Sequence, residues 1–175
     1  MTIVCTTNEG LYAKCSAISC IDQSSDNGLL IIKFEHLDRS GNKQSFMSNL
    51  VHEILVDQAH KGGFFSYIAG TAAAIISDDK CFNKIEKLKI DKSIHGVYID
   101  NYLTTLPMKK GLSSSAAICT LVVQSFNSIY SLELSIEEIM DLSYRGEMLT
   151  PSKCGRMDQC VAIGIFTLYY VLFGQ

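Results

Sequence analysis

The segment Leu106–Tyr130, LPMKKGLSSSAAICTLVVQSFNSIY, constrains this chain more than any other. A glycine and three consecutive serines lead straight into an apolar run that starts with two alanines. The spacing of Ile118, Leu121, Val122, Ser125 and Ile129 is helical. It predicts a loop over Gly111–Ser115 whose last serines open a helix running to about Tyr130. The first turn of a helix leaves N–H groups without intrahelical partners, and these carry roughly half a positive charge. Gly111 lets the backbone turn tightly around a ligand. Ser113, Ser114 and Ser115 add hydroxyls, Lys109 and Lys110 stand just upstream, and Pro107 stiffens the approach. Such a set suits an anion, most naturally a phosphate. A serine before a helix is usually a plain N-cap and a Gly-Ser run often a plain loop, and composition leaves that reading open beside the phosphate one. The Walker pattern is absent, which excludes an ordinary P-loop ATPase.

The flanking sequence alternates strands and helices irregularly. Ile3–Ile21 reads as two short strands around the turn NEG, and Gly28–Leu37 as a strand followed by the turn DRSGNK. Met47–His60 has apolar residues at Leu50, Val51, Ile54 and Leu55, which predicts a helix broken by KGG. Phe64–Ser77 reads as a second helix, rich in small residues. The charged DDKCFNKIEKLK is expected to be a surface loop, and GVYIDNYL a strand. Ser135 and Glu138 form a Ser-x-x-Glu capping box that starts a helix ending near Met148. Val161–Gly174 is shorter than the roughly 20 residues of a spanning helix, so a buried strand is expected there and no membrane association. The class is α+β.

Bulk properties narrow the function classes. A chain of 175 residues, 47% apolar, can bury a core as one domain or as a large part of a two-domain protein. The net charge of −3, with charges mixed along the chain, does not suit a nucleic-acid surface. The seven cysteines include no Cys-x-x-Cys pair, and no signal peptide opens the sequence. Buried or free thiols in a reducing cytoplasmic setting are expected. His36, His52, His60 and His95 show no partner pattern, and surface placement is expected for all four.

PMKKGLSSSAA resembles the Pro-x-x-x-Gly-Leu-Ser/Gly-Ser-Ser-Ala signature of the GHMP kinases, the superfamily of galactokinase, homoserine kinase, mevalonate kinase and phosphomevalonate kinase. GEMLTPSKCGRMDQ, Gly146–Gln159, is similar to the galactokinase segment that carries a glutamate and then CG-x-MDQ. YIDNYLTTLP resembles the family's strand leading into its phosphate loop. The resemblance implies a ribosomal-protein-S5-domain-2-like fold, a mixed sheet with helices packed on it, over residues 1–175. It implies ATP, Mg²⁺ and a small-molecule acceptor, with a sugar indicated by the MDQ segment. Pro107, Lys109, Lys110, Gly111, Leu112, Ser113, Ser114, Ser115 and Ala116 would form the ATP-phosphate loop. Ser114 or Ser115 would reach Mg²⁺ or a phosphate, Glu147 would be the acidic Mg²⁺ ligand, and Asp158 would act at the acceptor hydroxyl as base or electrostatic orienter.

Each role has an alternative. Glu147 could be a solvated helix-end carboxylate and Asp158 a turn brace, while Arg156 could contact substrate or form a salt bridge. The family's arginine-bearing opening segment has no match before Ile3, and its glycine-rich C-terminal domain has none before Gln175. The expectation is therefore an N-terminal domain alone, without sugar-dependent turnover of its own and with apolar surface open to self-association. A kinase-derived binding or regulatory module, or a fragment without function, are the alternatives to a sugar kinase.

Overall fold

The structure, a computed structural model, describes residues 2–4, 10–19, 29–37, 41–92, 94–106, 113–152, 156–163 and 169–171. In chain order its elements are β1 (Thr2–Val4), β2 (Leu11–Ser19), β3 (Ile31–Leu37), β4 (Lys43–Asn49), α1 (His52–His60), α2 (Phe64–Ile76), α3 (Asp79–Lys92), β5 (Ile94–Thr104), α4 (Ser114–Tyr130), α5 (Ile136–Met148), α6 (Met157–Ala162) and β6 (Tyr169–Val171). Four strands form a mixed sheet in the order β2-β5-β3-β4. β2 runs antiparallel to β5 and β4 antiparallel to β3, whereas β3 and β5 are parallel. β1 pairs with β6 in a separate two-stranded ladder. The expected α+β architecture is present.

Strand alternation explains where the core lies. Ile32, Phe34 and His36 on β3, and Val97, Ile99 and Asn101 on β5, are all buried and fall on alternate residues of their strands. Ile68, Ala72, Ala73 and Ile75 of α2 share that core with Ile118, Val122 and Phe126 of α4 and with Ile139 and Leu142 of α5. α2 and α5 pack closely because glycines meet at the crossing. A Cβ on Gly70 would collide with the carbonyl of Gly146, and one on Gly146 would collide with the backbone of Thr71. That crossing lies one residue before Glu147.

Several elements differ from the sequence expectations. Asp79–Lys92 is a helix rather than a surface loop. Cys81 and Ile85 are buried and Leu88 packs against the core, an i, i+4, i+7 stripe submerged in lysines and acids. The Asp78 carboxylate caps its first turn by accepting the Cys81 N–H at 3.2 Å. Met47 belongs to β4 and not to the following helix, which starts at His52. β4 carries weak alternation because it is a sheet-edge strand, held mainly by its ladder to β3. Val161 and Ala162 close α6, and only Tyr169–Val171 is strand within the expected Val161–Gly174 strand; residues 164–168 and 172–174 lie outside the described residues. His36 is buried rather than on the surface. Its Nδ1 lies 2.7 Å from Asn101 Oδ1, and its ring stacks on Phe64 at 4.5 Å. Asn101 also donates to the carbonyls of Tyr12 and Leu103, so the imidazole is anchored where β3 and β5 end.

Candidate active site

α4 begins at Ser114, as the serine run predicts, and ends at Tyr130. The residue before it, Ser113, is left-handed, with φ 53° and ψ 37°. L-residues other than Gly, Asn and Asp rarely adopt this conformation. Its side chain makes no capping hydrogen bond, although its carbonyl accepts the Ala117 N–H at 3.1 Å. The first-turn amides are thus not closed off by a side-chain cap at Ser113. Ser114 and Ser115 are half-buried and Ala116 is buried. Pro107, Lys109, Lys110, Gly111 and Leu112 lie outside the described residues.

The other candidate residues lie at the end of α5 and on α6. The capping box starts α5: Ser135 Oγ accepts the Glu138 N–H at 3.2 Å, and Glu138 Oε2 accepts the Ser135 N–H at 2.7 Å. Its C-terminal end is tied down by Thr150, whose N–H and hydroxyl both donate to the Glu147 carbonyl, at 2.9 and 2.8 Å. The Glu147 side chain is fully buried, so it is not a solvated helix-end carboxylate. Its Oε2 accepts from Gln159 Nε2 at 2.9 Å. Its Oε1 has no hydrogen-bond partner among the described residues.

Asp158 and Gln159 sit on α6, which touches both α4 and α5. Consecutive helical residues diverge by about 100°. Gln159 turns inward to Glu147 and is buried, while Asp158 is half-buried in the first turn. Arg156 is exposed, 3.4 Å from Asp141 Oδ1, with its guanidinium 4.7 Å from the Tyr144 ring centroid. Arg156 therefore makes a salt bridge here. Burial pushes the Cys160 thiol up from its ordinary value. Among the described residues no cysteine forms a disulfide.

Gln159 stands in the MDQ segment without a role among the sequence expectations. Its signal was there: an amide one residue after a candidate catalytic aspartate, on a short apolar helix. A cation has one obvious oxygen at hand, Glu147 Oε1, buried and without a hydrogen-bond partner among the described residues. No group of three or more His, Cys, Asp or Glu gathers among the described residues to hold a metal by protein ligands alone. One carboxylate oxygen would hold Mg²⁺ only together with phosphate oxygens or water.

The family description "GHMP kinases N terminal domain" matches residues 67–164, which span α2 through α6. The chain belongs to the GHMP kinases. Mevalonate kinase of Thermococcus onnurineus is 31% identical over 107 residues, covering 61% of this chain and 32% of that protein. Mevalonate kinase of Pyrococcus horikoshii is 36% identical over 86 residues, covering 48% of this chain and 25% of that protein. The crystal structure of Methanococcus jannaschii mevalonate kinase superposes with a TM-score of 0.57 at 18% identity, over 86% of this chain and 40% of that one, a likeness of fold. This GHMP-kinase chain spans about a third of the length of the curated relatives it matches. Among the described residues, no helix is long and apolar enough to cross a membrane.

Proposed function

We propose that this chain is the ATP-binding, N-terminal domain of a kinase that transfers the γ-phosphate of ATP to the hydroxyl of a small hydroxy acid of the mevalonate type. Two separate observations carry the reading: an α4 start left uncapped by Ser113, and a buried carboxylate that keeps one oxygen unpartnered among the described residues. The amides of Ser114, Ser115 and Ala116, with Lys109, Lys110 and the Pro107–Leu112 segment before them, would hold the ATP phosphates. Ser114 or Ser115 together with Glu147 would hold Mg²⁺, which supplies charge neutralisation at the phosphates. Asp158 would orient the acceptor hydroxyl or take its proton. Phosphoryl transfer asks for little beyond positioning and electrostatic stabilisation, and these residue types supply both.

The mevalonate kinase relatives support a hydroxy acid as acceptor. The GRMDQ resemblance to galactokinases supports a sugar, the second reading. Titration calorimetry of the chain with Mg·ATP, followed by ADP release in the presence of mevalonate, galactose or homoserine, distinguishes them. Mg·ATP binding by the chain is the expected result, with mevalonate-stimulated ADP release expected once the remainder of a kinase is joined to it. Stimulation by galactose alone moves the acceptor to a sugar. Binding without stimulation by any acceptor leaves a nucleotide-binding module, and no Mg·ATP binding removes the kinase reading altogether.

A further inference from the structure

We infer that Gln159 is a positioning residue for the cation-binding carboxylate, holding Glu147 so that only Oε1 is left to take a metal. The inference rests on the kinase reading above and adds a residue to it. Glu147 is wholly buried at the last turn of α5, where the helix dipole disfavours negative charge. A buried carboxylate there requires partners, and among the described residues a single side-chain donor reaches it, Gln159 Nε2 at 2.9 Å. That bond spans from α6 across to α5 and engages Oε2, leaving Oε1 without a hydrogen-bond partner among the described residues. The backbone of Glu147 is already fixed by Thr150 and by the glycine crossing of α2 and α5. The hydrogen bond from the Gln159 amide to Oε2 restrains rotation of the carboxylate about its last torsions. Neighbours that orient a ligand typically matter about 10–100-fold in metal affinity.

Gln159→Met keeps comparable side-chain length and removes the donor. Mn²⁺ is a spectroscopic stand-in for Mg²⁺, and free Mn²⁺ is read by electron paramagnetic resonance with the chain saturated in ADP. The expected result is at least about a 10-fold weaker Mn²⁺ affinity in Gln159→Met than in the unaltered chain, with the melting of the cation-free proteins recorded beside it. Glu147→Gln, run in parallel, should weaken binding at least as much. Unchanged Mn²⁺ affinity in a folded Gln159→Met, with Glu147→Gln impaired, overturns the positioning role and leaves the kinase reading intact. Unchanged affinity in both variants overturns the metal assignment beneath it. Should Gln159→Met fail to fold, Gln159→Asn draws the amide back by one methylene and serves in its place: weakened binding supports the role, and full affinity overturns it.

Discussion

Ser113 is the residue whose backbone says most about the site. Its left-handed conformation costs an ordinary L-residue roughly 1–2 kcal/mol, and no capping bond from its own side chain offsets that. It occupies the one position of the GLSSSAA segment where the kinase signature alternates serine with glycine, the residue for which this conformation is free. Ser113→Gly should therefore leave stability unchanged or raise it by up to about 1 kcal/mol, whereas Ser113→Val should lower it by at least about 1–2 kcal/mol. Denaturant titration of both variants checks this, and a Gly variant clearly less stable than the parent would remove the strain argument. Asp158 carries the proposed chemistry. Under that proposal, Asp158→Asn in a completed kinase should lower turnover by at least about 10²-fold while Mg·ATP affinity stays nearly constant. Equal turnover in single-turnover assays would strip Asp158 of its role.

Helices and strands were unequally legible. The capping box of α5 and the serine-led start of α4 could be read because each places its signal in consecutive residues. α3 could not, because its buried stripe of Cys81, Ile85 and Leu88 is thin and lysines and acids dominate its composition. β4 is specified by pairing with β3 more than by its own residues, and pairing is invisible in a single segment. Likewise the bond between Glu147 and Gln159 joins two helices whose meeting is set by packing. Ser135→Ala removes the cap of α5 and should cost about 1 kcal/mol, or some 2–4 °C of melting temperature in a domain of this size. A fully retained melting temperature would mean that α5 is held by packing alone. Gly146→Ala acts at the helix crossing. The added methyl would meet Thr71 Oγ1 near 2.7 Å as well as backbone, so α2 and α5 must separate. A loss of about 1–3 kcal/mol is expected, together with weaker Mn²⁺ binding because Glu147 moves with its helix. A stable Gly146→Ala with full cation affinity would show that the crossing does not position the carboxylate.

At the scale of the whole molecule, the face of β3 and β5 opposite the core carries a charged cluster. Glu35 of β3 accepts from Tyr98 Oη of β5 at 2.5 Å, and it pairs with Lys43 of β4 at 2.5 Å and Lys33 of β3 at 3.1 Å. One carboxylate thus ties together three of the four strands of the main sheet. Lys43, Tyr98 and Lys33 outweigh burial and hold the Glu35 carboxyl down, from 4.5 to about 2. A depressed folded pKa means that the charged form is bound more tightly in the folded state. The stabilisation is therefore complete above the unfolded value of 4.5 and is lost as pH falls towards about 2. Melting temperature should decline steeply across that window. In Glu35→Gln the part of the slope due to this group should vanish, leaving a variant less stable than the parent near neutrality but converging with it at the acid end. The lysines are largely exposed, so salt should shrink the difference between the two proteins. Melting curves of both proteins between pH 7 and pH 2, at low and high salt, measure this. Parallel curves, with a constant gap at every pH, would mean that the cluster contributes packing alone and that its charge does not hold the strands together.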